Sequence, residues 1–330
     1  MVRTASCGRC EHVRVTRLML LDSASLYFRA FFGVPSSVTA PDGTPVNAVR
    51  GFLDMLATLV SVHPPTRLVA CWDDDWRPEF RVQALPSYKA HRLVPGSEDA
   101  EDAPPELGVQ VPVIADVLAA LGVSRVGHPG FEADDVMGTL AERAASAGVA
   151  VDVVTGDRDL FQLVDDERSV RILYTGKGVR NLDIVDQARL QARYEVPTGR
   201  AYAEMAVLRG DPSDGLPGVP GIGEKTAAGL LRRFGGLAGL MEAVTAGSTA
   251  IAPGQRAKLA AAADYLAVAP AVVNVVLDVP VPTALSDGLP EHPADVDALT
   301  ELADRWGLRS SINRVLAAFT KAHQLTTPDA

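Results

Sequence analysis

Cysteine is scarce. Three residues in 330 cannot build a disulfide framework, and the expected compartment is the reducing cytoplasm. Two of them, Cys7 and Cys10, form a lone CxxC near His12, but no second CxxC or paired histidine completes a zinc site. Residues 1–16 are therefore read as a disordered or over-long extension, with Met19 as an alternative start. Cys71, inside an apolar run, reads as core. Aromatic residues make up 5% of the chain, too few for a broad base-stacking platform. The longest apolar stretch, 266–285, is interrupted by Pro270, Asn274, Asp278, Pro280 and Pro282, which excludes a membrane-spanning helix. The apolar run 18–21 stops at Asp22, too short for the core of a signal peptide. There is no GxSxG, no HExxH and no convincing Cys–His pairing, so a covalent nucleophile or a zincin site is not expected. Positive charge is in deficit: 31 Lys and Arg face 41 Asp and Glu, for a net charge of −10. This weighs little against a nucleic-acid partner, because binding follows the distribution of charge and not its total.

At 47% hydrophobic, the chain has the apolar content of a globular protein, and its length suggests two domains. Runs 17–21, 68–72, 124–126, 149–155 and 170–174 read as buried strands; 46–62, 107–121 and 132–147 read as helices between them. That alternation predicts an α/β domain over 17–190, with helices on both faces of a parallel sheet. A polar, proline-containing insertion spans about 77–106, long enough to be a functional lid. Beyond about 190 helical patterns dominate, which predicts a small helical domain over 191–322 and a frayed tail at 323–330.

Acids follow the strands. Asp22 comes after LMLL, Asp73 after LVACW, and Asp157 and Asp159 sit in TGDRD after VDVV. Ligands of parallel α/β sheets gather beyond the carboxyl ends of the strands, so these side chains are expected in one crevice. FEADD adds Glu132, Asp134 and Asp135 at a helix start, and GDPSDG adds Asp211 and Asp214. Each of these alone is as readily a helix cap or turn residue. Together they are a donor set that could not stay ionised unaided, and all-oxygen ligation suits Mg²⁺ or Mn²⁺. Two such ions can hold the attacking and leaving oxygens of a phosphodiester, so no side-chain nucleophile is required.

GVPGIGEKTA then opens a helix. Its glycines, Gly218, Gly221 and Gly223, with Lys225 and Thr226, read as a hairpin that grips a DNA backbone without reading sequence. It is not a Walker loop, because the lysine spacing is wrong. Arg232 and Arg233 are either phosphate contacts or a solvated helix face. In the insertion, FRVQALPSYKAHR carries Arg81, Tyr88, Lys89 and Arg92. Lys89 and Arg92, one helical turn apart, would face a scissile phosphate, and Tyr88 would stack on a terminal base. The acidic stretch 98–102 that follows reads as solvent-facing, or as a guard against misplaced DNA.

From about Leu18 to Phe319 the chain resembles the bacterial 5′-3′ exonuclease and flap endonuclease family, which includes the N-terminal nuclease domain of DNA polymerase I. The resemblance rests on LLDSASLYFRAFF, the Asp73 region, FRxxxxxxYKxxR, EADD, TGDRDLFQL and GDPSDGLPGVPGIGEKTA. It implies a PIN-like α/β fold with a helical arch and a helix–three-turn–helix motif for duplex DNA. It implies metal ligands at Asp22, Asp73, Glu132, Asp134, Asp135, Asp157, Asp159, Asp211 and Asp214, with arch residues Arg81, Tyr88, Lys89 and Arg92. A potassium ion is implied on the carbonyls of 218–223. The partners implied are DNA with 5′ ends, flaps or nicks, and RNA–DNA hybrids, cut by a monomeric enzyme in primer removal and repair. No polymerase-like segment follows, so a free-standing form is expected. Two departures stand out. Gly215-Leu216-Pro217 replaces the Asn-Ile-Pro of many relatives, and the run Asp73-Asp74-Asp75 leaves Asp74 and Asp75 as alternative or additional ligands.

Overall fold

The computed structural model describes residues 16–326; Cys7, Cys10, His12 and the last four residues lie outside the described residues. The apolar runs form the strands β1 (Arg17–Asp22), β2 (Arg67–Cys71), β3 (Ser124–Val126), β4 (Ala150–Thr155) and β5 (Val170–Tyr174), largely buried on both faces except at the edge strand β3. Among the described residues they make one sheet in the order β3-β2-β1-β4-β5-β6, parallel except for β6 (Asp183–Val185), which runs antiparallel to β5. The three-residue β6 was not expected, since its central Ile184 is exposed and Asp183 opens it, so it does not read as an apolar run. The chain places β2 on one side of β1 and β4 on the other. That reversal opens a crevice at the carboxyl ends of β1 and β4.

Helix α1 (Ser23–Gly33) starts directly off β1, capped by Asp22, whose carboxylate accepts the Ser25 N–H at 2.9 Å. Helix α2 (Asn47–Val62) covers the same face of the sheet and buries Phe52, Leu53 and Leu56 completely. Each such side chain contributes about 1.5–3 kcal/mol relative to exposure. The insertion after β2 holds only α3 (Glu79–Ala84), a 3₁₀ turn at Ala90–Arg92, and an antiparallel bridge between Leu93 and Glu101. The single helix expected over 107–121 is split into α4 (Pro105–Gly108) and α5 (Val111–Leu121). Pro112 suits the first turn of α5 but has no amide to continue α4 through it. On the opposite face lies α6 (Ala133–Ser146), opened by a capping box between Glu132 and Asp135.

Helices α7 (Gln187–Tyr194), α8 (Gly199–Arg209), α9 (Glu224–Phe234), α10 (Leu237–Thr245), α11 (Pro253–Ala261) and α12 (Ala263–Val273) form the expected helical part. Its core is continuous with that under α6: Phe161 packs against Tyr202 at 5.3 Å between rings. The last two helices, α13 (Val296–Arg305) and α14 (Arg309–Thr326), return to the first body, where Ile312, Val315 and Phe319 join Phe52 and Leu56. These two helices, which begin within the 191–322 range, thus share the core of α2. An apolar helix face must be buried, but its sequence does not say against what. No described helix is long and apolar enough to cross a membrane.

Candidate active site

The crevice gathers the strand-end acids. Asp22 accepts the Thr155 hydroxyl at 2.6 Å, which joins the ends of β1 and β4. Asp73, just beyond β2, accepts the Ala133 N–H at 2.7 Å and so joins β2 to the start of α6. Asp157 hangs two residues past β4, with its N–H donated to Thr155 Oγ1 at 2.8 Å. These three, with Glu132 and Asp134, line a cavity of about 330 Å³. Asp159, Asp211 and Asp214 stand outside that lining, on the side where the loop after α8 approaches.

Burial pushes Asp22 up to about 7, against hydrogen bonds from Thr155 and Ser25, with Asp73 and Asp157 raising it further. Burial likewise lifts Glu132 to about 7 while Lys89 and Arg81 pull it down. Asp73 is raised by burial, and Asp134 by burial and then by Asp157 and Asp22. Asp159 is raised by burial and then by Asp157, Asp214 and Asp211. Asp157 thus acts on both groups of acids and stands electrostatically between them. Among the described residues no three His, Cys, Asp or Glu side chains stand at the spacing of a formed metal cage. The donors are instead arrayed around a cavity, all of them oxygen. Mutually opposed carboxylates of this kind accept divalent cations, and the donor type favours Mg²⁺ or Mn²⁺ over Zn²⁺.

The cations come from the insertion. Lys89 Nζ stands 3.0 Å from Glu132 Oε2, and Lys89 has a left-handed backbone with φ 48°. Its N–H donates to the Asp214 carbonyl at 3.0 Å. Arg92 Nη2 donates to Asp214 Oδ1 at 2.7 Å and to the Ser213 carbonyl at 2.8 Å; Ser87 Oγ donates to the Gly215 carbonyl at 2.8 Å. The foot of the arch is thereby stitched to the GDPSDG loop. Lys89 and Arg92 both line the cavity, although they are the N-cap and the last residue of a 3₁₀ turn and do not share an α-helical face.

Several expected site residues lie elsewhere. Arg81, expected at the reaction centre, is 2% exposed and makes two 2.7 Å hydrogen bonds to Asp135 plus one of 3.0 Å to the Val272 carbonyl. Asp135 also accepts the Val276 N–H at 2.8 Å and the Glu132 N–H at 3.2 Å. Four donors occupy its lone pairs and leave none for a metal. Tyr88 is buried, with its hydroxyl on Glu132 at 2.8 Å, and so cannot reach a terminal base. Asp74 pairs with Arg125, and Asp75 accepts the Arg77 N–H at 3.2 Å; neither lines the cavity.

The glycine hairpin precedes α9, with Gly223 at its N-cap and Lys225 exposed in its first turn; Thr226 is half-buried there. Gly218 has φ +63°, and a Cβ on it would stand 2.3 Å from the Arg209 carbonyl, so only glycine fits. Lys258 Nζ lies 2.5 Å from where a Cβ of Gly221 would be, a basic group the sequence reading missed. Also missed were Thr155 and Ser25, which orient Asp22, and Arg29. The Arg29 Nε and Thr175 Oγ1 atoms are buried without a hydrogen-bond partner. Both residues stand beside Gly156, which itself lines the cavity. Only the position of Arg29 two helical turns beyond Asp22 could have signalled it.

A family model described as the 5′-3′ exonuclease N-terminal resolvase-like domain matches residues 17–195, and one described as the 5′-3′ exonuclease C-terminal SAM fold matches 197–297. A 5′-3′ exonuclease of Streptomyces coelicolor is 59% identical over 305 residues, 92% of this chain and 100% of that protein. One from Mycobacterium tuberculosis is 52% identical over 310 residues, 91% and 97% of the two chains. Among solved structures, the bacteriophage T5 flap endonuclease, in a pseudo-enzyme–product complex with DNA and metal ions, is similar with a TM-score of 0.61. That match covers 93% of this chain and 99% of the other; at 16% identity it bears on the fold alone.

Proposed function

Because this chain belongs to the 5′-3′ exonuclease family, we propose that it hydrolyses DNA phosphodiesters at 5′ ends and at 5′ flap junctions, leaving a 5′-phosphate. The observation that carries this reading is the position of Asp157 at the end of the sheet, where it lines the cavity with Asp22, Asp73, Glu132 and Asp134 and accepts the Asp159 N–H at 2.9 Å. Asp22, Asp73, Glu132, Asp134 and Asp157 would hold one divalent cation, and Asp157, Asp159, Asp211 and Asp214 a second. Bound there, Mg²⁺ or Mn²⁺ supplies charge for the attacking and leaving oxygens.

The chain's own groups do the rest. Lys89 and Arg92 face the cavity with positive charge and stabilise the phosphorane-like transition state. Thr155 and Ser25 hold the Asp22 carboxylate in one orientation. Ser25 on the cavity lining, with Arg29 behind Gly156, would offer donors to an adjoining backbone phosphate. The hairpin of Gly218, Gly221 and Gly223, with Lys225, Thr226 and Lys258, holds the duplex from outside, and a K⁺ on the carbonyls of 218–223 belongs to the same reading. Tyr88, Arg81 and Asp135 support Glu132 and α6 without touching DNA. We place the enzyme in the cytoplasm, acting as a monomer on flaps, nicks and RNA–DNA hybrids in primer removal and repair.

The test is product analysis of a labelled 5′-flap duplex with Mg²⁺, with Mn²⁺ and with EDTA, beside an all-RNA substrate. Cleavage near the junction that disappears with EDTA and in Asp157→Ala, while Asp157→Ala still binds the flap, is the expected result. Binding without cleavage under either metal would make the chain a DNA-structure-binding protein. Preferential cutting of all-RNA would make it a ribonuclease.

A further inference from the structure

The acidic run 98–102, with Glu98, Asp99, Glu101 and Asp102, has no part in the site described so far. It is not a loose surface segment. Leu93 and Glu101 bridge antiparallel, the Val94 N–H donates to the Ala100 carbonyl at 2.9 Å, and the Asp102 N–H donates to the Arg92 carbonyl at 2.8 Å. Trp76 Nε1 donates to the Asp99 carbonyl at 3.0 Å and holds the run from the other side. The chain therefore folds back beside Arg92 and turns Glu101 onto the cavity wall, alongside Lys89, Arg92 and Asp73. Glu101 is half-buried. Burial raises its carboxyl, with Arg92 drawing it down, Asp73 raising it and Lys89 drawing it down again.

A carboxylate facing two cations that would otherwise meet a phosphate occupies the phosphate's electrostatic place. We propose that Glu101 is a specificity-determining residue, holding in the resting enzyme the position beside Arg92 and Lys89 that a backbone phosphate of the cut strand must take. The proposal rests on the reading of this cavity as the site of phosphodiester cleavage. A strand enters by displacing Glu101 and the hairpin that carries it. A flap anchored by its duplex on the glycine hairpin has binding energy to spend on that displacement, whereas a free single strand has none. The acid thus discriminates against single strands that lack an adjoining duplex.

The test is Glu101→Gln, which keeps size and removes charge, with Glu98→Gln as an exposed control. Two quantities are read for a 5′-flap duplex and a single strand of the same sequence: kcat/KM with Mg²⁺, and affinity in EDTA by fluorescence anisotropy. In Glu101→Gln the single strand should gain about threefold to tenfold in both, the flap clearly less, and Glu98→Gln should leave the ratio unchanged. A Glu101→Gln protein that melts like the wild type and keeps the wild-type ratio overturns the proposal. So does equal loss of cleavage on both substrates, which would make Glu101 part of the metal site. If the wild type cuts neither substrate, the cleavage reading itself fails, and the affinity ratio in EDTA still decides the role of Glu101.

Discussion

Arg81 and Asp135 form a bidentate ion pair with both hydrogen bonds at 2.7 Å, and the two side chains are 2% and 0% exposed. It joins the arch to the first turn of α6, and through the Val272 and Asn274 carbonyls it also reaches the end of α12. A pair this deeply buried is held for geometry more than for net stability, because desolvating two charges offsets most of their attraction.

Removing one partner is therefore the costly change. Arg81→Ala should lower unfolding stability by about 3–5 kcal/mol, since it leaves the Asp135 charge buried and unpaired. The double substitution Arg81→Met with Asp135→Leu should restore much of that loss. Denaturant unfolding in EDTA measures both. A double variant no more stable than Arg81→Ala would mean that the hydrogen bonds to Val272 and Val276 matter more than the charges.

Asp22 and Glu132 predict the pH dependence of the metal-free protein. Their carboxyls rise from ordinary values of 3.8 and 4.5 to about 7. A pKa raised by folding contributes stability that is fully present below the unfolded value and is lost as pH climbs through the folded one. In EDTA each group should remove about 1.4 kcal/mol of stability between pH 6 and pH 8.5, the last part of a loss that begins near the unfolded value. Saturating Mg²⁺ or Mn²⁺ should cancel the loss, because the cation favours the ionised form. Melting curves at the two pH values, with and without metal, read this directly. A flat profile in EDTA would place both carboxylates in water.

Arg29 offers a separate test of the DNA path. Its Nε is buried without a partner, and its Nη2 lies 3.4 Å from where a Cβ of Gly156 would stand. The Arg29 guanidinium stands behind Gly156, which lines the cavity, and a hydrogen bond from it to a phosphate would contribute about 1.5–3 kcal/mol. Arg29→Ala should therefore weaken flap affinity in EDTA about tenfold or more, equally for all sequences. An unchanged affinity would assign the residue to packing around Thr175 and Gly156.

The sequence made the sheet and its acids legible for a simple reason. Buried parallel strands are continuous apolar runs, and whatever follows them points into one crevice, which is why Asp22, Asp73 and Asp157 are expected together from sequence and line one cavity. What it left open were choices between neighbours. Asp134 and Asp135 are adjacent, but successive helix positions point about 100° apart, so one reaches the cavity and the other reaches Arg81. Asp73 and Asp74 diverge in the same way, with Asp74 drawn off by Arg125, which is 51 positions away in sequence. Tyr88 and Arg81 look like exposed arch residues in a polar stretch, and nothing local shows that Glu132 and Asp135 take them inward. The docking of α14 on α2 is a long-range contact of the same kind.

Gly215 joins the arch to the second carboxylate group, and its replacement separates catalysis from docking. It has φ +75°, and a Cβ there would stand 2.1 Å from the Ser87 carbonyl oxygen. Gly215→Ala must therefore push the foot of the arch away from the GDPSDG loop and break the Ser87 and Lys89 hydrogen bonds to it. Lys89 and Arg92 would then lose their register with the carboxylates, and a misplacement near 1 Å costs roughly a hundredfold in rate. Duplex affinity should hold, since Gly218, Lys225 and Lys258 lie beyond the change. Single-turnover cleavage of the flap beside anisotropy on a plain duplex distinguishes the two effects. A fall in duplex affinity that matches the fall in rate would mean that arch and hairpin move as one body, with Gly215 as their shared hinge.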